Sequence, residues 1–147
     1  MRLFLYPACI ALCTAFSLTS CDDDHDIPGH RVPGSVQEAF EQQIPNVTPY
    51  DWEKENGLYK AEFYKDGHEG EAWFQPDGTW VRTETDVRIS ELPQAVTDYV
   101  STNYPTHHID DAEWVETPTQ SYYALELEKN GVRDKHIRIL PDGEPLN

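Results

Sequence analysis

The segment "VPGSVQEAFEQQIP" (32–45) sets the predicted architecture, because the chain repeats it as "LPQAVTDYVSTNYP" (92–105). In both copies the first proline suits the opening turn of a helix, where a missing N–H costs nothing. The second proline ends the segment. Between them, apolar residues recur at steps of four, as in Val36, Phe40 and Ile44. This spacing places one apolar stripe along a helix, so the sequence predicts two equivalent amphipathic helices.

Strand-like segments follow each helix and repeat as well. The segment "YKAEFYKDG" (59–67) aligns with "YALELEKNG" (123–131), and "AWFQPDG" (72–78) aligns with "IRILPDG" (137–143). Their alternation of apolar and polar residues is typical of an antiparallel sheet that is covered on one side only. Asp66-Gly67, Asn130-Gly131 and the two Pro-Asp-Gly sequences predict tight turns between strands. The chain is therefore interpreted as a duplicated unit, each copy a helix followed by antiparallel hairpins.

The amino terminus has the pattern of an export signal. Residues 3–18 carry no charge and follow Arg2, as in a secretory signal peptide. The run contains Pro7 and is shorter than the ~20 apolar residues that span a bilayer. Leu18-Thr19-Ser20-Cys21 resembles the lipobox of bacterial lipoproteins, in which the cysteine receives diacylglycerol and a peptidase cuts before it. We therefore predict a lipoprotein signal peptide over 1–20 and lipidation of Cys21.

Residues 21–31 follow with four aspartates and then with proline and glycine. Such a composition predicts an acidic, flexible tether. Acidic residues directly after a lipidated cysteine also resemble the surface-export signal of lipoproteins in Bacteroidetes-type bacteria. The resemblance implies a protein exported across the inner membrane and anchored to the outer membrane, facing the periplasm or the cell surface.

Composition restricts the classes of partner. The formal net charge is −16, and it becomes −17 without residues 1–20, which contain one basic residue and no acidic one. So negative a chain argues against nucleic acid as a partner. Cys9 and Cys13 leave with the signal peptide and Cys21 becomes a thioether, so the mature chain has no thiol for a disulfide or a zinc site.

The repeated pattern resembles the PepSY-like, β-lactamase-inhibitor-like domains of Bacteroidetes lipoproteins. The match rests on two helix-plus-hairpin units, each with a Trp strand ("YDWEKE", 50–55; "DAEWVE", 111–116), an alternating Tyr strand and a Gly-ended turn. It implies an α+β fold in which two tandem repeats (32–88 and 89–147) form one domain over 32–147. The domain would be one continuous antiparallel sheet of about eight strands with the helices on one face.

The resemblance implies a binding or inhibitory module rather than an enzyme. The sequence contains no Gly-x-Ser-x-Gly, His-Glu-x-x-His or phosphate-binding glycine loop, each of which would indicate a particular chemistry. We therefore expect no catalytic residues and no cofactor. The mature chain also lacks the disulfides of the secreted β-lactamase inhibitors, so inhibition does not transfer with the fold.

A candidate binding face follows from comparing the two copies. Positions that are apolar in both copies are assigned to the core, and the alternating positions between them are assigned to the open side of the sheet. Exposed aromatic and arginine side chains are common at the centre of protein interfaces. The candidate residues are Tyr64, Trp73, Trp80, Arg82, Tyr122, His136 and Arg138. The alternative is that the tryptophans lie flat beneath long side chains or a loop.

One short cluster offers metal ligands. His107, His108, Asp110 and Asp111 follow the second helix, and imidazole with carboxylate can bind zinc or a similar ion. Neighbouring residues of a strand point to opposite sides, and no distant third ligand is evident, so a solvated loop is the alternative.

The predicted function is a lipid-anchored envelope module that recognises an unidentified envelope protein through the open sheet face. Its contact with the membrane is through the anchor, and no nucleic acid is expected. The alternative is a periplasmic or surface binder of a small ligand, a glycan or a cation.

Replacing Cys21 with serine tests the anchor. Several acyl chains on Cys21 would hold the protein stably in a membrane, so the wild-type protein should partition with membranes into detergent and C21S should not. Detergent partitioning of cell fractions measures this. Recovery of the wild-type protein in the aqueous periplasmic fraction would contradict lipidation.

Overall fold

The structure is a computed structural model that describes residues 25–146, so the predicted signal peptide and Cys21 lie outside the described residues. Its helices and strands are β1 (His25–Asp26), α1 (Gly34–Gln43), β2 (Asp51–Glu55), β3 (Leu58–Lys65), β4 (His68–Phe74), β5 (Trp80–Asp86), α2 (Gln94–Asn103), β6 (His108–Glu116), β7 (Ser121–Glu128), β8 (Lys135–Ile139) and β9 (Pro145–Leu146). Neither helix in this part of the chain has the length and apolar character needed to cross a bilayer.

All strands form one antiparallel sheet in which each strand pairs with the next along the chain, from β1 to β9. This confirms the predicted α+β fold with a single continuous sheet. Strands β2–β9 correspond to the predicted segments, and β9 is the shortened last strand of the second copy. The additional strand is β1, which comes from the segment predicted to be a flexible tether.

Strand β1 extends the 60-residue correspondence between the two parts of the chain toward the amino terminus. Asp26 pairs with Glu53, and Asp86 pairs with Glu113 sixty residues later. The backbone N–H of Ile27 donates to the Trp52 carbonyl at 2.8 Å, and the N–H of Val87 donates to the Ala112 carbonyl at the same distance. Residues 25–31 are therefore the counterpart of 85–91 and belong to the folded unit. The predicted tether boundary at residue 31 is too late, because these backbone bonds tie the segment to β2.

The first helix packs through its predicted apolar stripe. Val36, Phe40 and Ile44 are buried. The Phe40 ring meets the rings of Trp52, Phe63 and Phe74 edge-on, with centroids 5.7, 5.8 and 6.3 Å away. This is the favourable geometry for aromatic pairs, and it holds α1 against β2, β3 and β4.

The second helix repeats the arrangement with aliphatic side chains. Val96 and Val100 pack with a buried cluster that includes Leu125, Leu127 and Ile139. Trp114 lies opposite Tyr123 in β7, whereas Trp52 lies opposite Ala61 in β3. The two tryptophans thus share the helix-covered face without occupying equivalent positions.

Each Pro-Asp-Gly turn supports the start of the helix of its own copy. Gly78 and Gly143 have φ of 91° and 90°, a backbone region that favours glycine. A Cβ on Gly78 would lie 2.6 Å from the Ser35 carbonyl oxygen, and one on Gly143 would lie 2.9 Å from that of Ala95. Both the turn conformation and the close approach therefore require glycine.

Truncation of Phe40 to alanine tests the first core. Loss of a buried aromatic ring and the cavity it leaves should lower the free energy of unfolding by ~3–5 kcal/mol, measured by urea denaturation. Gln42→Ala, on the exposed side of the same helix, is the matched control and should change it little. Similar small losses in both variants would contradict the packing of α1.

Candidate binding face

Both helices pack on one side of the sheet, and we call the opposite side the open face. Carboxylates dominate it. Residue pairing and strand alternation place there Asp51, Glu53, Glu55, Glu62, Glu69, Glu71, Glu84, Asp86, Asp111, Glu113, Glu126 and Glu128. The Lys and Arg side chains on the same face of the described strands are Lys60, Arg82 and Arg138. Several carboxylates lie directly opposite one another, as Glu71 and Glu84 do, and such like-charged pairs destabilise a sheet.

Lys60 neutralises part of the first copy. Its Nζ lies 3.0 Å from Glu62 and 3.4 Å from Glu71, and it also contacts Glu53. Burial lowers the pKa of Lys60, but hydrogen bonds to Glu53 and Glu62 and the charge of Glu71 outweigh burial and raise it above its ordinary value. Lys60 is therefore a fully charged ammonium held among three carboxylates.

Trp73 lies on the open face, as predicted, yet it is only 3% exposed. The Arg82 guanidinium lies over its ring, 3.6 Å from the centroid, which is a close cation–π contact. The indole Nε1 donates to the Glu55 carboxylate at 3.1 Å. Trp73 therefore lies flat beneath the long side chain of Arg82, which is the alternative given for the tryptophans above.

Trp80 does not lie on the open face, so that prediction is wrong. Trp80 pairs with Phe74 while Arg82 pairs with Trp73, and Val81 is the extra residue of a bulge between the two pairs. The bulge reverses the alternation and places Trp80 against the core of α1. Its Nε1 donates to the buried Thr83 hydroxyl at 3.0 Å.

Tyr64 is on the open face and strongly exposed, at 61%. It stacks on Tyr50 with ring centroids 5.4 Å apart, and both hydroxyls donate to the Glu69 carboxylate. The hydrogen bond to Glu69 is the main reason that the pKa of Tyr50 lies above its ordinary value. Tyr50 was not predicted as a site residue, because it precedes β2 and alternation along the strand assigns it no face.

The predicted residues of the second copy lie on the open face of β7 and β8. Tyr122 is on β7, and His136 and Arg138 are on β8, where both are exposed. His136 lies opposite Glu126 and Arg138 opposite Ala124. The Arg138 guanidinium is 5.6 Å from the centre of the Tyr122 ring.

The open face carries an acidic triad twice. We call Asp26, Asp51 and Glu53 the first triad, and Asp86, Asp111 and Glu113, each sixty residues later, the second triad. The first triad joins β1 and β2, and its carboxylate oxygens lie within 4.8 Å of one another. The second joins β5 and β6. Neither triad was predicted, although the offset of 60 that aligns the helices also aligns these acids.

The two triads differ in their neutralisation. Glu53 lies opposite Lys60, whereas Glu113 lies opposite Ala124, which aligns with Lys60 at the 64-residue offset. Burial first, and then the charges of Glu84, Asp111, Asp86 and Glu71, raise the pKa of Glu113 to about 7. Burial and the charges of Asp111 and Glu69 also raise the pKa of Asp86. In the part of the chain that the structure describes, no lysine lies opposite Glu113, and Arg138 lies one strand further, opposite Ala124.

The predicted metal cluster separates in the structure. His108 and Asp110 come together with Glu128, with ligand atoms within 4.8 Å of one another, and His108 Nε2 is 3.1 Å from the Glu128 carboxylate. His107 instead packs edge-on against Tyr104, and Asp111 belongs to the second triad. Asp110 is the extra residue of a bulge in β6. Glu128 was missed because it is distant in sequence.

The chain is similar to a family described as "Putative beta-lactamase-inhibitor-like, PepSY-like", which matches residues 57–139. It is also similar to the solved structure of a BLIP-like protein from Bacteroides fragilis, with 26% identity, 82% of this chain and 85% of that chain covered, and a TM-score of 0.72.

Two further solved structures are similar. A DUF2874 family protein from Bacteroides ovatus has 28% identity, with 84% of this chain and 87% of that chain covered and a TM-score of 0.73. A structure from Bacteroides eggerthii, described as "putative periplasmic proteins", has 29% identity, 79% and 86% coverage and a TM-score of 0.70. No functionally curated protein matches the sequence.

Glu113 should make stability depend on pH. Its pKa is higher in the folded protein, about 7, than its ordinary value of 4.5. The folded state therefore binds more protons across this window, and the contribution of Glu113 to stability falls as pH rises through it. Glu113→Gln should raise the melting temperature at pH 8 and leave it nearly unchanged at pH 4.5, measured by circular dichroism. Glu38→Gln on exposed α1 is the control, and equal shifts of E113Q at both pH values would contradict the assignment.

Proposed function

The chain belongs to the β-lactamase-inhibitor-like, PepSY-like family, and we propose that it is a lipid-anchored module of the cell envelope that binds another protein through its open face. The proposed role is non-catalytic. The observation that carries it is the division of the sheet into two unlike faces. One face is covered by α1 and α2, and the other presents charged and aromatic side chains that the fold does not bury.

The open face carries aromatic and arginine side chains of the kind that dominate binding energy at interfaces. Tyr64 and Tyr50 are exposed large aromatics, and Tyr122 and Arg138 form a second aromatic and cationic group at the opposite end. Tyr and Arg are enriched among residues that dominate binding energy, and a rim of charged groups controls the rate and selectivity of association. Trp73 supports this surface from below and does not contribute contact area.

The location rests on two further arguments. A relative of known structure is described as periplasmic, and the lipobox-like segment at 18–21 would fix the mature amino terminus to a membrane. A bilayer-tethered module searches for its partner at a high effective concentration along the membrane, so moderate affinity is sufficient for recognition. We propose the outer membrane as the anchoring site because the acidic residues after Cys21 resemble an export signal.

A divalent cation is the second candidate ligand. His108, Asp110 and Glu128 provide one imidazole and two carboxylates within 4.8 Å of one another, a donor set that suits a transition metal. His108 and Asp110 are exposed, which fits a weak site at the rim of the sheet better than a structural one.

Site-specific photocrosslinking tests the proposed function. p-Benzoyl-phenylalanine at Tyr64 or at Tyr122 replaces an aromatic residue of the open face, while the same probe at Glu41 lies on the exposed side of α1. After irradiation of intact cells, the open-face probes should each yield a discrete crosslinked protein and the Glu41 probe should not. Crosslinks from Glu41 alone, or from no position, would contradict recognition through the open face.

A further inference from the structure

We infer that the partner docks a lysine- or arginine-rich segment on the open face, with one basic side chain over Ala124 among the carboxylates of the second triad. This inference rests on the proposed function and specifies the chemistry of the partner.

Within this chain, Lys60 already makes the kind of contact that we infer for the partner's basic side chain. Its ammonium is held on the open face by Glu53, Glu62 and Glu71. In the second copy the equivalent strand position is Ala124, so among the described residues no cation lies directly opposite Glu113. Arg138 lies one strand further, opposite Ala124, and its guanidinium is 5.6 Å from the centre of the Tyr122 ring. A partner's lysine that reaches this position would reproduce a contact that the first copy already makes.

The second triad gains from a cation because its charges are crowded and partly desolvated. Asp86 lies directly opposite Glu113, and Glu71 and Glu84 lie on the adjoining strands of the same face. Among the described residues, the Lys and Arg ion pairs on this face involve Lys60 and Arg82, and neither reaches the second triad. Carboxylates this close repel one another, and a bound cation relieves that repulsion.

The exposed tyrosines offer a second place for a basic side chain. Tyr50 and Tyr64 stack with the Glu69 carboxylate between their hydroxyls. A ring face beside a carboxylate attracts a guanidinium or an ammonium by both cation–π and ionic contact. Tyr64 is on β3 and Ala124 is on β7, so the two places are separated by four strand spacings, or ~19 Å.

This separation favours an extended segment as the occupant. At ~3.3 Å per residue, about six residues span the two places, so a basic peptide strand can occupy both at once. A single metal ion cannot, and a second copy of this chain is disfavoured because its own open face carries the same charge.

Binding of labelled deca-lysine to the full-length protein in non-ionic detergent tests the inference, with fluorescence anisotropy as the readout. Ala124→Lys places an ammonium where the partner's would lie and should weaken binding ~10-fold, since it removes the local attraction. Gln42→Lys adds the same charge on exposed α1 and should change affinity less than ~2-fold. Thermal melts establish that both variants fold, and A124K should melt no lower than the wild-type protein.

Three results would overturn the inference: no binding of deca-lysine at low ionic strength, equal weakening by A124K and Q42K, or displacement of the peptide by Ca²⁺ well beyond that by NaCl of equal ionic strength. The second would reduce the effect to net charge, and the third would make a small cation the occupant. A protein crosslinked from Tyr64 or Tyr122 whose capture A124K leaves unchanged would preserve the proposed function and refute its basic chemistry. If A124K weakens the binding of deca-lysine but no open-face crosslink forms, the basic chemistry of the site is supported and the proposed function is refuted.

Discussion

The structure depends on one constraint: successive side chains of a strand point to opposite faces, and both helices cover the same face. The aromatic cluster around Phe40 and the aliphatic cluster around Val100 fix that choice in the two copies. The apolar residues that alternate along each strand then lie mostly on the covered side, and the positions between them face away from it. The acidic residues of a strongly negative chain are therefore concentrated on the open face by geometry, because the alternative would bury them beneath the helices.

The segments that align at an offset of about 60 residues place this geometry in two similar but unequal parts of the sheet. Both copies place a carboxylate triad at the junction of the strand before the helix and the strand after it. Only the first copy supplies a lysine opposite its glutamate, because the position in the second copy that corresponds to Lys60 is Ala124. Folding does not require the charge of Glu113. Its raised pKa means that the charged form of Glu113 destabilises the folded state. An acidic group with a raised pKa on a face that the helices leave uncovered is typical of a surface that functions in binding.

Much of the fold could be predicted from the repeat itself. Proline-bounded helices with apolar residues at steps of four, and pairs of apolar strand positions such as Phe63 with Leu127, identified both cores. Trp80 was misplaced because one extra residue in a bulge reverses alternation, and no simple pattern in the sequence marks it. Strand β1 was missed because two residues form it, although Asp26-Ile27 and Asp86-Val87 share the helix offset. Burial of Trp73 beneath Arg82 and the clustering of His108 with Glu128 depend on contacts between strands, which the composition of one strand does not contain.

The most direct test of this account is the pKa of Glu113, measured by carboxyl ¹³C NMR titration of the protein alone and saturated with deca-lysine. The account predicts a midpoint of about 7 for Glu113 in the free protein. A fall toward the ordinary glutamate range is expected when the peptide supplies the missing cation. An ordinary value in the free protein would contradict the crowding of charge on the open face. A raised value that the peptide leaves unchanged would contradict docking of a basic side chain over Ala124.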